Sequence, residues 1–293
     1  MTDMIEVFSA PGRAQCDDRA FMLSAVDIPS VVEVGPGGYV VRVAYAHAAF
    51  ATHHLWQYEQ ELRSRPRFVS RETPIYPHAW VGGAIYVAVL VLAAMMVVRG
   101  WGPLDMFALG TLDAAAVQAG QWWRALTALT LHVDIVHLMM NLGAGTAIGY
   151  LASRQMGVGT AWLLTVLGAG AANLSEALAS VPGHQSVGAS TAVFAALGLL
   201  AAHSWRIHGV LAKTSLRRRA PIIAGAALLG FLGTAGEGTN LVAHLFGFAY
   251  GAVLGVLAAQ PSVARLFARL PQSASGVIAL GIVGVSWFMA LRA

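Results

Sequence analysis

From residue 79 onward the chain is a series of long apolar stretches broken by short polar ones. Seven stretches, at about 79–98, 133–153, 158–179, 188–205, 220–236, 240–259 and 274–291, each approach the roughly 20 residues a helix needs to cross a bilayer. This pattern predicts a polytopic all-α membrane protein. Residues 1–62 follow a different pattern. IEVF (5–8), SVVEV (30–34) and YVVRVAY (39–45) are short runs of strand type, the last two joined by the turn residues GPGG. RAQCDDRAFMLSAV (13–26) and AHAAFATHHLWQYEQEL (46–62) read as helices. The order β-α-β-β-α predicts a small soluble α+β domain, a docking or regulatory module with a cytosolic partner. Residues 63–78 form a basic, proline-bearing linker.

Composition supports the membrane reading. Hydrophobic types make up 57% of the 293 residues and charged types 11%, where a soluble domain is about a quarter charged. No apolar signal segment opens the chain; residues 1–30 carry both acids and bases. The net charge of +4 is informative through its placement. With the N-terminus in the cytoplasm, twelve Lys and Arg flank the spans on the inner side: Arg63, Arg65, Arg67, Arg71, Arg154, Arg206, Lys213, Arg217, Arg218, Arg219, Arg265 and Arg269. Arg99, Arg124 and Arg292 alone fall outside. That asymmetry sets the orientation. It makes KTSLRRR (213–219) a cytoplasmic loop between two spans rather than a nucleic-acid patch. The single cysteine, Cys16, excludes an internal disulfide. His47, His53 and His54 have no Cys or acidic ligand in register, and H-E-x2-H is absent, so no metal or cofactor is expected.

Polar side chains inside spans are functional candidates, because burying them unpaired is costly. The second span carries HVDIVHLMMN, in which His137 and Asn141 share a helix face. The fourth carries Ser190 and the sixth carries His244. All three spans run from outside to inside. Their four polar side chains lie about 3–12 Å below the helix starts, in one layer of one leaflet. Ser and His together make a nucleophile and its general base. An amide, an imidazole and the Ser190 backbone N–H at a helix start could donate to an oxyanion. No Asp or Glu is placed as a third member: Asp134 reads as an N-terminal residue of span two. His132 sits at the span boundary. His184, in the outer loop, is the rival base, in a setting that is hard to fix rigidly.

These motifs resemble the rhomboid family of intramembrane serine proteases. Trp123–Arg124 matches the WR of the first outer loop, and HVDIVHLMMN matches H-x4-H-x3-N. GAST (188–191), with Phe194 following, falls where the family has G-x-S-G, and AHLFGFAYG (243–251) matches A-H-x2-G-x3-G. The resemblance covers about residues 79–259 and implies a six-helix core, with residues 260–293 a seventh transmembrane helix outside it. It implies Ser190 as nucleophile, His244 as general base, and His137, Asn141 and the Ser190 amide as the oxyanion site. It implies that Phe194 packs on His244, and that residues 100–131, with Trp122, form an interfacial loop. Gly247, Gly251 and Gly255 form a small-x3-small ridge that lets span six press on span four. Gly188 leads into the nucleophile. Thr191 stands where the family has glycine, a departure beside the nucleophile. The expected activity is hydrolysis of a peptide bond in or near a transmembrane segment of another membrane protein, at the outer side of the cell membrane. The competing readings are a non-catalytic relative that binds membrane clients, and a transporter.

Overall fold

The computed structural model describes residues 3–64, 76–100, 104–208, 215–233 and 240–293. Most of the expected linker, and Lys213 of the basic run, lie outside these residues. The chain divides into two compact units, Met1–Arg71 and Glu72–Ala293.

The first unit contains β1 (Met4–Ala10), α1 (Arg13–Ser24), β2 (Ser30–Gly35), β3 (Gly38–Ala44), a 3-10 turn (Tyr45–His47) and α2 (Ala48–Ser64). The strands form an antiparallel sheet in the order β1-β3-β2. Val41 and Val43, two apart on the central strand, point to one face, as strand periodicity requires. With Leu23, Ala51 and Cys16 they are fully buried, and the Cys16 thiol donates to the Tyr39 carbonyl at 3.3 Å. Arg19 binds Glu59 at 2.5 Å, tying α1 to α2.

The second unit is helical. It comprises α3 (Trp80–Arg99), α4 (Met106–Gly110), β4 (Leu112–Asp113), α5 (Ala114–Gln118), α6 (Arg124–Thr127), a 3-10 turn (Ala128–Thr130), α7 (Ile135–Met156), α8 (Val158–Ala179), β5 (Gln185–Ser186), α9 (Ser190–His208), α10 (Ser215–Gly233), α11 (Leu241–Ala258), α12 (Pro261–Arg269) and α13 (Gln272–Ala290). Among the described residues five helices are long and apolar enough to cross a membrane: α3, α7, α8, α11 and α13. The spans expected at 188–205 and 220–236 fall on α9 and α10. Both are shorter in apolar length because α9 ends in HSWRIH and α10 begins SLRRR, which leaves Arg219–Phe231 as the apolar part of α10.

Helix α9 is apolar on every side, the pattern of a helix enclosed by others. It packs against α7, α8, α10 and α11. Val193, Phe194, Ala195, Leu197, Leu199 and Ala202 are all buried. Its closest neighbour is α11, and glycines make that approach possible. A Cβ at Gly247, Gly251 or Gly255 would run into the carbonyl oxygens of Thr191, Ala195 and Leu199 in turn, and one at Gly198 into that of Phe248. The ridge expected from the sequence is thus a backbone-to-backbone contact.

Helix α13 docks on α8 and reaches the segment before α7. Gln272 accepts from the Thr160 backbone N–H at 3.0 Å, one of the donors that a helix start leaves unpaired, and donates to the Thr160 hydroxyl at 3.1 Å. At the other end the Trp287 indole donates to Thr130 Oγ1 at 3.1 Å. Of the interfacial loop expected at 100–131, the described stretch 104–131 is a compact run of short helices with one short strand. Asp105 and Asp113 cap α4 and α5.

Candidate active site

Ser190 is the first residue of α9 and His244 lies in the first turn of α11. The glycine contacts between the two helices bring these residues together: Ser190 Oγ and His244 Nε2 are 2.9 Å apart. Ser190 is half-buried, while His244 is 5% exposed. Phe194, one turn after Ser190, packs against the imidazole with ring centroids 4.4 Å apart. This contact limits the tilt of the ring and keeps water from one of its faces.

The strap leading into Ser190 is pinned to the segment before α7. β5 pairs with β4 through Leu112↔Ser186 and Asp113↔Gln185. The Gln185 amide donates to Asp113 at 2.8 Å. The Ala114 N–H donates to the His184 carbonyl, and the Gly188 N–H to the Ala128 carbonyl, both at 3.0 Å. Gly188 has φ +134°, a conformation that L side chains rarely adopt, and a Cβ there would lie 2.7 Å from His137 Cε1 and 2.8 Å from His137 Nε2. Glycine therefore lets the backbone turn into α9 while the His137 ring lies against it.

His137 and Asn141 lie on α7 as expected. Asp134 caps this helix through the His137 N–H at 2.8 Å. The Asn141 side chain is buried and donates to the His137 carbonyl of its own helix at 3.0 Å. The Tyr86 hydroxyl on α3 holds the Asn141 carbonyl at 2.9 Å. Trp123 and Arg124 serve the preceding segment. The Arg124 guanidinium donates to the carbonyls of Ala108 and Thr111 at 2.9 and 2.8 Å and to Gln121 at 2.6 Å. Trp123 packs edge-on against Trp122, with centroids 6.0 Å apart.

His132 was expected at a span boundary, and it lies just before α7. The Ala189 N–H, next to the nucleophile, donates to its Nε2 at 3.4 Å, which requires that nitrogen to be unprotonated. Burial and the adjacent His137 pull the His132 pKa down from 6.5 to about 4. Between those values the unfolded chain binds more protons than the folded one, so stability falls as pH drops from about 6.5 towards 4. The expected loss is up to about 3 kcal/mol. Melting of the detergent-solubilised protein across pH 4–7 should show this slope, and His132→Gln should flatten it.

Two sequence expectations change. His184 is not loosely held. Its carbonyl is paired with Ala114, and its Nε2 lies 2.6 Å from the Glu176 carboxylate. Its ring is engaged with α8, and the imidazole on Ser190 is that of His244. The second change concerns carboxylates: Glu176, near the end of α8, is 1% exposed and meets both His184 and Asn240. Sequence reading missed it, though a lone carboxylate in an apolar span is a signal in itself. Thr191 is 4% exposed. A Cβ at Gly247 would lie 3.3 Å from its methyl carbon Cγ2, so the side chain packs on α11 one turn below His244.

The rhomboid domain family model matches residues 119–261, which include Ser190, His244, His137 and Asn141. The chain is 31% identical over 119 residues to Rhomboid protease GluP of Bacillus subtilis (strain 168), covering 40% of this chain and 23% of that one. It is 28% identical over 192 residues to Rhomboid-like protease 2 of Toxoplasma gondii, covering 63% and 65%. It is 33% identical over 160 residues to RHOMBOID-like protein 4 of Arabidopsis thaliana, covering 53% and 39%. The matches span less than two thirds of the length of each of these relatives.

Proposed function

From a chain that belongs to the rhomboid family through the domain at residues 119–261, we propose a serine endopeptidase that cuts other membrane proteins in or near their transmembrane segments. The 2.9 Å contact between Ser190 Oγ and His244 Nε2 carries this reading. His244 takes the Ser190 proton as the oxygen attacks a substrate carbonyl, then returns it to the leaving amine. The acyl-enzyme is released by water. Charge that develops on the carbonyl oxygen meets the Ser190 N–H, which has no intrahelical partner at the first position of α9, and the positive end of that helix. The His137 ring, against Gly188, supplies a second donor. Asn141 supplies a third: one N–H of its amide holds the His137 carbonyl, and the other is left for the oxyanion. A Ser–His pair does this chemistry with no metal or cofactor.

The six helices α3, α7, α8, α9, α10 and α11 make up the family core, with α13 as a seventh span. The N-terminal unit is cytoplasmic and the dyad faces the opposite side of the cell membrane, as the Arg and Lys asymmetry indicates. Residues 1–62 are a docking or regulatory domain. The functional reading is tested in proteoliposomes that hold the purified chain and a single-span reporter. Two reporter fragments are expected. Co-purification of intact reporter without any cut would instead mark a client-binding protein.

Thr191 supplies a direct check on the departure from the family motif. Its side chain packs on Gly247 rather than toward the strap that holds Gly188. Thr191→Gly should therefore leave kcat/KM within a few-fold of wild type. It should lower stability by about 1–3 kcal/mol, because the buried methyl packed on Gly247 is lost in addition to helix propensity. Cleavage kinetics and a melting curve measure the two effects separately.

A further inference from the structure

Glu176 is a carboxylate placed where apolar packing gives it no reason to be. It is 1% exposed, on a span-length helix. Its backbone is a fixed point, because Gln118 donates to the carbonyls of Ala177 and Ser180 at 3.0 and 2.9 Å and so closes the end of α8. One oxygen of Glu176, Oε1, meets two groups from different parts of the chain. The first is His184 Nε2, at 2.6 Å. The second is the Asn240 amide, which donates to the same oxygen.

Each of these partners stands at the root of one half of the dyad. His184 is six residues before Ser190 and begins the strap that runs through β5 and Gly188 into α9. Asn240 caps α11: its Oδ1 accepts the Ala243 N–H at 3.1 Å and its carbonyl accepts the His244 N–H at 3.2 Å. The Asn240 amide is thus oriented at both ends, with its oxygen on the helix start and its nitrogen on Glu176. The first turn of that helix carries the base.

Resting on the dyad assignment above, we propose that Glu176 is a positioning residue that sets the register between nucleophile and base, by holding the strap of Ser190 and the cap of the His244 helix on one buried oxygen. The glycine contacts fix the distance between α9 and α11. They lie at Thr191 and below on α9 and at Gly247 and below on α11, so they do not hold the strap before Ser190 or the cap before His244. A shared acceptor does, because moving either root lengthens a buried hydrogen bond to Glu176 Oε1.

The test measures kcat and KM on a single-span reporter, and the rate at which a fluorophosphonate labels Ser190, using the full chain. Rates are normalised to the folded fraction. Glu176→Ala removes both bonds; Glu176→Gln keeps an acceptor of the same shape. Asn240→Ser keeps a helix cap and is too short to reach Glu176. Displacing the dyad by about 1 Å can slow the reaction up to about 100-fold. Glu176→Ala and Asn240→Ser should therefore lower kcat about 10–100-fold, with KM within about twofold and labelling slowed in step. Their double variant should lose little more than the worse single one, and Glu176→Gln should recover most of the rate. Should Glu176→Ala fail to fold, Asn240→Ser decides alone. The proposal is overturned if the folded variants turn over at the wild-type rate, or lose only KM, while Ser190→Ala is inert. Full activity in Ser190→Ala would remove the dyad assignment and this proposal with it.

Discussion

Replacing Ser190 by Ala is expected to lower kcat/KM on a membrane-embedded substrate by at least about 10⁴-fold. That corresponds to about 5.5 kcal/mol of transition-state stabilisation. Its hydroxyl is the group on the dyad hydrogen bond, and alanine removes that oxygen while leaving a helix start that alanine tolerates. His244→Ala should cost a similar factor, because a serine hydroxyl without a base is a poor nucleophile at neutral pH. The two residues act as a unit, so the double variant should be no slower than the worse single one. Substrate capture should survive in all three, since the losses lie in kcat. Steady-state kinetics with a fluorogenic single-span reporter would read each of these values.

The second large effect comes from a residue that does no chemistry. A Cβ at Gly251 would run into the Ala195 carbonyl oxygen, and backbone cannot swing aside as the end of a side chain can. Gly251→Val should force α11 away from α9. Overpacking of this kind costs about 1–3 kcal/mol. The activity loss should be larger than stability alone explains, because the same shift parts Ser190 from His244, and about 1 Å of misplacement can cost about 100-fold. Gly281→Val on α13, where an added Cβ meets nothing within 4 Å, is the matched control. It should change neither melting temperature nor kcat appreciably.

These two predictions differ in how visible their basis is in the sequence. The glycine ridge at Gly247, Gly251 and Gly255 repeats every four residues, so helical periodicity alone puts it on one face of α11. His137 and Asn141 are legible in the same way, as is α9, whose uninterrupted apolar run from Val193 to Ala202 has no face left for solvent. The alternation in β3 likewise marks Val41 and Val43 as inward-facing. What sequence leaves open is contact between segments far apart in the chain. Glu176 meets His184 eight positions on and Asn240 sixty-four positions on, and no periodicity links a helix end to a loop and a distant cap. Side-chain direction is equally hidden. Asn141 reads as an oxyanion donor, yet one of its N–H groups turns back on the carbonyl four residues earlier, an option open to any helical Asn. Thr191 reads as an intrusion beside the nucleophile. Only the neighbouring α11 reveals that its methyl packs on Gly247.

The Arg124 contacts carry a similar lesson about the segment 104–131. In sequence Trp123–Arg124 is a motif match within a stretch that reads as an interfacial loop. In the structure the guanidinium gathers two carbonyls of that segment, Ala108 and Thr111, and so shapes the surface to which the Ser190 strap is tied by the Ala128 carbonyl.

The central claim is that Ser190 is the attacking nucleophile and His244 the base beside it. It is tested most directly by peptide mapping of the purified chain after reaction with a chloroisocoumarin, a reagent that acylates an activated serine and can then alkylate a nearby imidazole. The expected result is a single modified site on the peptide that holds Ser190, cross-linked to the peptide that holds His244 and absent from Ser190→Ala. An adduct on any other residue, or a chain that still cuts its reporter while Ser190 stays unmodified, would contradict it.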